Sequence, residues 1–273
     1  MSDKPKKIAN EFIVGMLIML VLIFFAIFGP QLAPFKPSDF TDELLSAPSA
    51  LHPFGTDGLG RDVYSMVLYG TRTSLLVGVV AAGISMIIGT SLGALAGFYG
   101  AWIDRLLNEL INIFLMLPTF FLIIMVVAIF GSSMANVTIV IGLTSWMGTA
   151  RIMNAQVKSL KERSFVQAAR VSGESDAALL WIYIIPNGIS PVLANVSMSV
   201  SMAILYEASL SFIGLGDPNV MSWGQIIYNG KQYMGKGWWV ATFAGLAIVL
   251  TMFAFHLLSE GINRSMFSRE ARR

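Results

Sequence analysis

The chain contains no cysteine. Disulfides, zinc–thiolate sites and a cysteine nucleophile are therefore excluded. Only two histidines are present, His52 and His256, far apart in sequence, so a catalytic histidine cluster is not expected. Charge is scarce: Asp, Glu, Lys and Arg make up 12% of the chain, against ~25% in soluble domains. The net charge of +2 is too small to indicate a nucleic-acid partner. The phosphate-cradling loop G-x-x-x-x-G-K-[ST] is also missing. Gly230-Lys231 is followed by Gln232, and Gly235-Lys236 by Gly237. The chain therefore does not bind ATP in that way. No nucleophile–base pair or metal-ligand spacing points to an enzyme.

What the chain has instead is apolar sequence. Hydrophobic residues make up 55% and the mean hydropathy is +0.70, which marks an all-α membrane protein. Residues 1–11 are polar, with Lys4, Lys6 and Lys7. Phe12 to Phe28 is continuously apolar and opens a first span over 12–33. It exceeds a signal-peptide core of about 7–15 residues, and no A-x-A site follows, so it reads as a retained span. Residues 34–72 form a polar, proline-rich loop. Further spans are expected over 74–98, 109–130, 137–150 and beyond, 189–213, and 238–258. Pro118 should bend the third. Ala81, Ser85, Gly89, Gly93 and Gly97 recur every four residues in the second and predict a close-packing stripe.

Orientation follows from the bases. Six spans with both termini cytoplasmic place about 13 Lys and Arg inside and about 5 outside, the latter including Arg72. Residues 34–72 are then extracytoplasmic, 151–188 a cytoplasmic loop, and 261–273 a cytoplasmic tail.

Two polar regions need explaining. In the 151–188 loop, Ser164 with Gln167 predicts a capping box and a short helix from Phe165. Phe165, Ala168, Ala169 and Ser172 share one face. Gly173 can stop that helix and Ser175 can cap the next. The fifth span carries Asn195, Ser197, Ser199, Ser201, Glu207, Ser209 and Ser211 in an apolar run. A buried acid in a span faces protein or a water-filled interior. Two readings stand: Asn195, Ser199, Glu207 and Ser211 line a translocation path, or Glu207 is satisfied by a neighbouring helix.

Several strings carry a family resemblance. Gln167-Ala168-Ala169, Gly173 and Ile184-Ile185-Pro186 resemble the cytoplasmic "EAA" loop of ABC-importer permeases, with Gln in place of the family's Glu. Pro53 to Asp62, with Gly55, Asp57, Gly60, Arg61 and Asp62, resembles the F-G-T-D-x-x-G-R-D signature of one branch. That branch is the C-type permease of dipeptide, oligopeptide and nickel importers. From the residues alone this string is a tight turn with an internal ion pair. Glu207 to Gly216 resembles the branch's E-A-S-L-S-F-L-G-L-G, and Pro218 and Ser222-Trp223-Gly224 follow in matching order.

The resemblance implies a type I ABC importer permease fold, with 73–260 as the transmembrane type-1 domain, in a prokaryotic cell membrane. It implies a second permease, two ATPase subunits that carry ATP and Mg²⁺, and an extracytoplasmic solute-binding protein. Coupling to the ATPases would fall to Phe165, Gln167, Ala168, Ala169, Arg170, Gly173 and Ser175. Di- or oligopeptides are the expected cargo, with nickel or a metal chelate as the alternative. A stand-alone secondary transporter or channel would instead predict inverted repeats with broken helices.

Overall fold

The computed structural model describes residues 10–270, with side chains to Arg264. Lys4, Lys6, Lys7, Arg272 and Arg273 lie outside the described residues, as does the side chain of Arg269. Among the described residues the regular structure is helical, apart from one antiparallel bridge between Thr56 and Asp62. Four stretches are long and apolar enough to cross a membrane. They are α1 (Asn10–Leu32), α2 (Val63–Tyr99), the continuous run 176–212, and the greater part of the last helix. A fifth crossing arises if α3 (Ala101–Met116) and α4 (Thr119–Phe130) count as one span broken by 82°.

The break falls where Pro118 predicted a bend. Leu117 and Pro118 are both extended (ψ 130° and 121°), because proline pushes its predecessor out of the helical region. The result is a corner rather than a kink. The expected count of six is not reached on these criteria. The fourth expected span divides at Ser145 into α5 (Met134–Thr144) and α6 (Trp146–Lys161). Ser145 bonds back to the Ile141 carbonyl at 2.7 Å, a local alternative to continuing the helix. Two expected spans are thus broken, one where Pro118 predicts a bend and one at Ser145, where the sequence expectation has no break.

Two boundaries also move. α2 starts at Val63, because Asp62 caps it by accepting from the Ser65 amide at 2.7 Å. The end of the expected outer loop, Arg72 included, is therefore helical. The expected turn over 99–108 shrinks to Gly100, because Ile103, Leu107, Ile111 and Phe114 give α3 an amphipathic face that packs on α6.

α2 is the axis of the molecule. Its small-residue stripe is buried as expected. A Cβ on Gly89 would meet Thr149 and the Trp146 carbonyl, and one on Gly93 would strike the Ala150 carbonyl. One on Gly97 would come within 2.8 Å of the Asn154 carbonyl. The α2 and α6 backbones approach this closely because lipid supplies no hydrophobic drive and small residues maximise contact. α1 packs on α2 and on α11 (Trp238–Glu270). The remaining elements are α7 (Ser164–Val171), α8 (Asp176–Ala178), a π-helical turn (Leu179–Ile184), α9 (Ile185–Phe212), α10 (Trp223–Gly230) and a 3-10 turn (Lys231–Tyr233). α8, the π turn and α9 form one unbroken helical run.

Candidate functional site

The two expected helices of the 151–188 loop are present as α7 and α8, joined through Gly173 at φ 88°, a left-handed conformation that favours glycine. Ser175 caps α8 by accepting from the Ala178 amide at 3.2 Å. The capping box is not formed. Ser164 lies inside α7, and the N-cap is Arg163 without a side-chain bond. Gln167 instead donates to the Lys161 carbonyl at 2.9 Å, tying α7 to the end of α6. Gln serves this bond because it carries an N–H donor that the family's Glu lacks.

The hairpin sits on the body through Val166 and Ala169, buried with Phe98, Met153, Val157, Leu179 and Ile184. The expected shared face therefore splits. Ala169 is a seat residue, whereas Phe165, Ala168, Arg170, Ser172, Gly173 and Ser175 face outward. Val171, whose exposure has no signal in the local pattern, is 90% exposed.

The same end of the bundle is fixed by charge. Asp104 of α3 accepts from Lys158 and Asn154 of α6, both at 2.8 Å, and Lys161 donates to the Phe98 carbonyl. Arg151 donates to Asn112 at 2.9 Å, a further tie between α6 and α3.

At the opposite end of α2, the Pro53–Asp62 string is the expected tight turn. Asp57 pairs with Arg61 at 2.6 Å and also accepts from the Leu59 and Arg61 amides, both at 2.9 Å. Gly55 and Gly60 have positive φ, and a Cβ on Gly60 would collide with the Thr41 carbonyl. Asp62 caps α2 and also bonds buried His52 at 2.8 Å. Trp239 of α11 donates to the Thr56 carbonyl at 3.0 Å. This turn stitches α2 and α11 together, and His52 is the member of it that spacing alone did not reveal.

The four path candidates separate into two pairs. Asn195 donates to Thr149 of α6 at 3.1 Å, and Ser199 bonds the Asn195 carbonyl. Glu207 is 1% exposed and accepts from Ser211 at 2.8 Å and from Ser222, the cap of α10, at 2.7 Å. Its second oxygen has no partner among the described residues. The open face of α9 is instead apolar: Met198, Met202, Leu205 and Phe212. An apolar groove of about 370 Å³ runs beside Leu205, Ser209 and Phe212 toward Phe120 and Ile248.

Comparisons with known proteins agree with this architecture. The dipeptide transport system permease protein DppC of Alkalihalophilus pseudofirmus is 35% identical, covering 96% of this chain and 86% of that protein. The glutathione transport system permease protein GsiD of Pectobacterium atrosepticum is 37% identical over 92% of this chain and 84% of its own length. The di/tripeptide permease DppC of Pseudomonas aeruginosa is 36% identical over 92% of this chain. Among solved structures, the inward-facing methionine ABC transporter MetNI matches with a TM-score of 0.56 at 20% identity. That match covers 73% of this chain and 95% of the other, and shows a shared fold. Residues 12–48 match the N-terminal transmembrane domain of oligopeptide transport permease C. Residues 89–268 match a second family model, and by that match the chain belongs to the binding-protein-dependent transport system inner membrane components, as a multi-pass membrane protein.

Proposed function

We propose that this chain is one of two permease subunits in a peptide-importing ABC transporter, with both termini and the α7–α8 hairpin in the cytoplasm. The observation that carries the coupling role is the hairpin itself. One face is seated on α6 and the π turn, and the other presents Phe165, Ala168 and Val171. A chain with no phosphate loop and such a presented face requires an ATPase from elsewhere. Two ATPases, a second permease and an extracytoplasmic binding protein complete the assembly. ATP-driven closure of the ATPases would move the hairpin, and rigid-body rotation would open the path alternately to each side. Six crossings then follow if α5 and α6 together make one broken span.

Peptides are favoured over nickel because the similar permeases carry dipeptide, di/tripeptide and glutathione names. For the path, the apolar groove along α9 supports a lining built from the Met198–Phe212 face. Glu207 is then a brace between α9 and α10, and Asn195 and Ser199 are braces toward α6.

Reconstitution tests the proposal. Proteoliposomes holding both permeases, the ATPases and ATP, with binding protein supplied, should accumulate labelled di- or tripeptide. This chain alone should accumulate none. Uptake by the isolated chain without ATP would replace the proposal with a secondary transporter or channel.

A further inference from the structure

Arg72 is out of place for a loop residue. It lies in α2, about 13 Å along the axis from Val63. Its neighbours one turn back fix its depth. Leu68 touches the position of Gly29, and Tyr69 reaches the Pro30 carbonyl at 3.5 Å. α1 and α2 run antiparallel here, so Arg72 stands opposite the last residues of the apolar run Phe12–Phe28. That level is the edge of the hydrocarbon layer, where a long basic side chain rests its stem on apolar surface and holds its head at the headgroups.

The guanidinium is exposed and makes no hydrogen bond or ion pair among the described residues. It stands at the mouth of a groove of about 550 Å³ between α1, α2 and α11. The groove is lined by Met19, Ile23, Ile27, Leu76, Val79 and Phe255, and no acidic residue lines it. Its volume falls within the range of small-molecule sites, roughly 300–1,000 Å³. It is continuous with the outward face of α1, where Leu17, Leu20 and Phe24 are exposed.

We propose that this groove is a binding site for one anionic glycerophospholipid. Its phosphate pairs with Arg72, and one acyl chain lies between α1 and α2. Charge complementarity selects this occupant. An unpaired guanidinium presents a planar fork that matches phosphate oxygens in a bidentate pair. An apolar trough directly below it suits a hydrocarbon chain and no water-soluble anion.

Native mass spectrometry of the full chain in detergent, titrated with phosphatidylglycerol, tests the site. The wild type should hold one lipid more tightly than the rest. Arg72→Gln should weaken that lipid by about tenfold or more, the equivalent of one lost charge-assisted bond. Arg72→Lys, which keeps the charge and loses the planar fork, should weaken the lipid less than Arg72→Gln does. Leu76→Trp, which fills the trough and leaves the charge, should also release the lipid. Glycerol phosphate, the head without a chain, should not displace it. Each variant is checked for the wild-type elution volume and helical circular dichroism. Equal lipid retention by the wild type and Arg72→Gln overturns the proposal. So does full displacement by glycerol phosphate, which would make this a site for a soluble anion. Loss of assembly with the second permease on Arg72→Gln, with lipid retention unchanged, would assign the guanidinium to a protein acid instead.

Discussion

Glu207 is legible in the sequence as a costly residue, and satisfaction by a neighbouring helix is one of its two readings, but the partner is not legible. A lone acid in an apolar run announces that it must be satisfied, yet its partner Ser222 lies beyond the end of α9, at the cap of α10. No helical spacing reveals such a pair. The geometry makes the brace testable. Glu207→Ala should destabilise the protein by about 2–3 kcal/mol, because it strips the acceptor from two buried hydroxyls. A Glu207/Ser222 double-mutant cycle in thermal unfolding should show a coupling of about 0.5–3 kcal/mol. Unchanged melting with lost transport would return Glu207 to the path. The glycines of α2 offer a sharper contrast. Gly93 faces the Ala150 carbonyl, whereas a Cβ on Gly83 would meet nothing within 4 Å. Gly93→Ala should cost about 1–3 kcal/mol by overpacking. Gly83→Ala should be neutral or stabilise by up to about 1 kcal/mol, from helix propensity. Denaturation midpoints of the two variants against wild type decide the point.

Among elements, the hairpin is the most legible in the sequence, yet the face that local pattern groups together is split, with Ala169 on the seated side. Local chemistry gave both helices, the Gly173 turn and the Ser175 cap. It could not say which stripe of α7 was seated, because Val166 and Ala169 find their places only through Phe98 and Met153, far away in sequence. The two faces should respond differently to charge. Val171→Asp should leave insertion and melting intact while the complex loses ATPase association and peptide-stimulated hydrolysis. Ala169→Arg should instead unseat α7, seen as faster proteolysis between residues 163 and 176. Equal behaviour of the two would mean that α7 presents no distinct docking face. The break at Ser145 and the extension of α2 to Val63 were missed for a related reason. Each turns on one side-chain bond, Ser145 to the Ile141 carbonyl or Asp62 to the Ser65 amide, inside sequence whose hydropathy shows no boundary.

For the molecule as a whole, the class and the arrangement of most spans follow from hydropathy and from the scarcity of charge. The lack of cysteine makes the orientation directly measurable, since any introduced thiol stands alone. Phe40→Cys should react with a membrane-impermeant maleimide in intact cells. Val171→Cys should react only after permeabilisation. The reverse pattern would invert the topology and remove the hairpin from the ATPases. One feature of the fold gives this arrangement a mechanical meaning. The helical run 176–212 begins at the hairpin and ends where Glu207 grips α10. At 37 residues it is about 55 Å long. Moved as one body it would act as a lever, since a tilt of only ~5° about one end swings the other by about 5 Å over such a length. A tilt imposed at Asp176, where the run leaves the hairpin, would then be felt at its far end, where Glu207 holds Ser222.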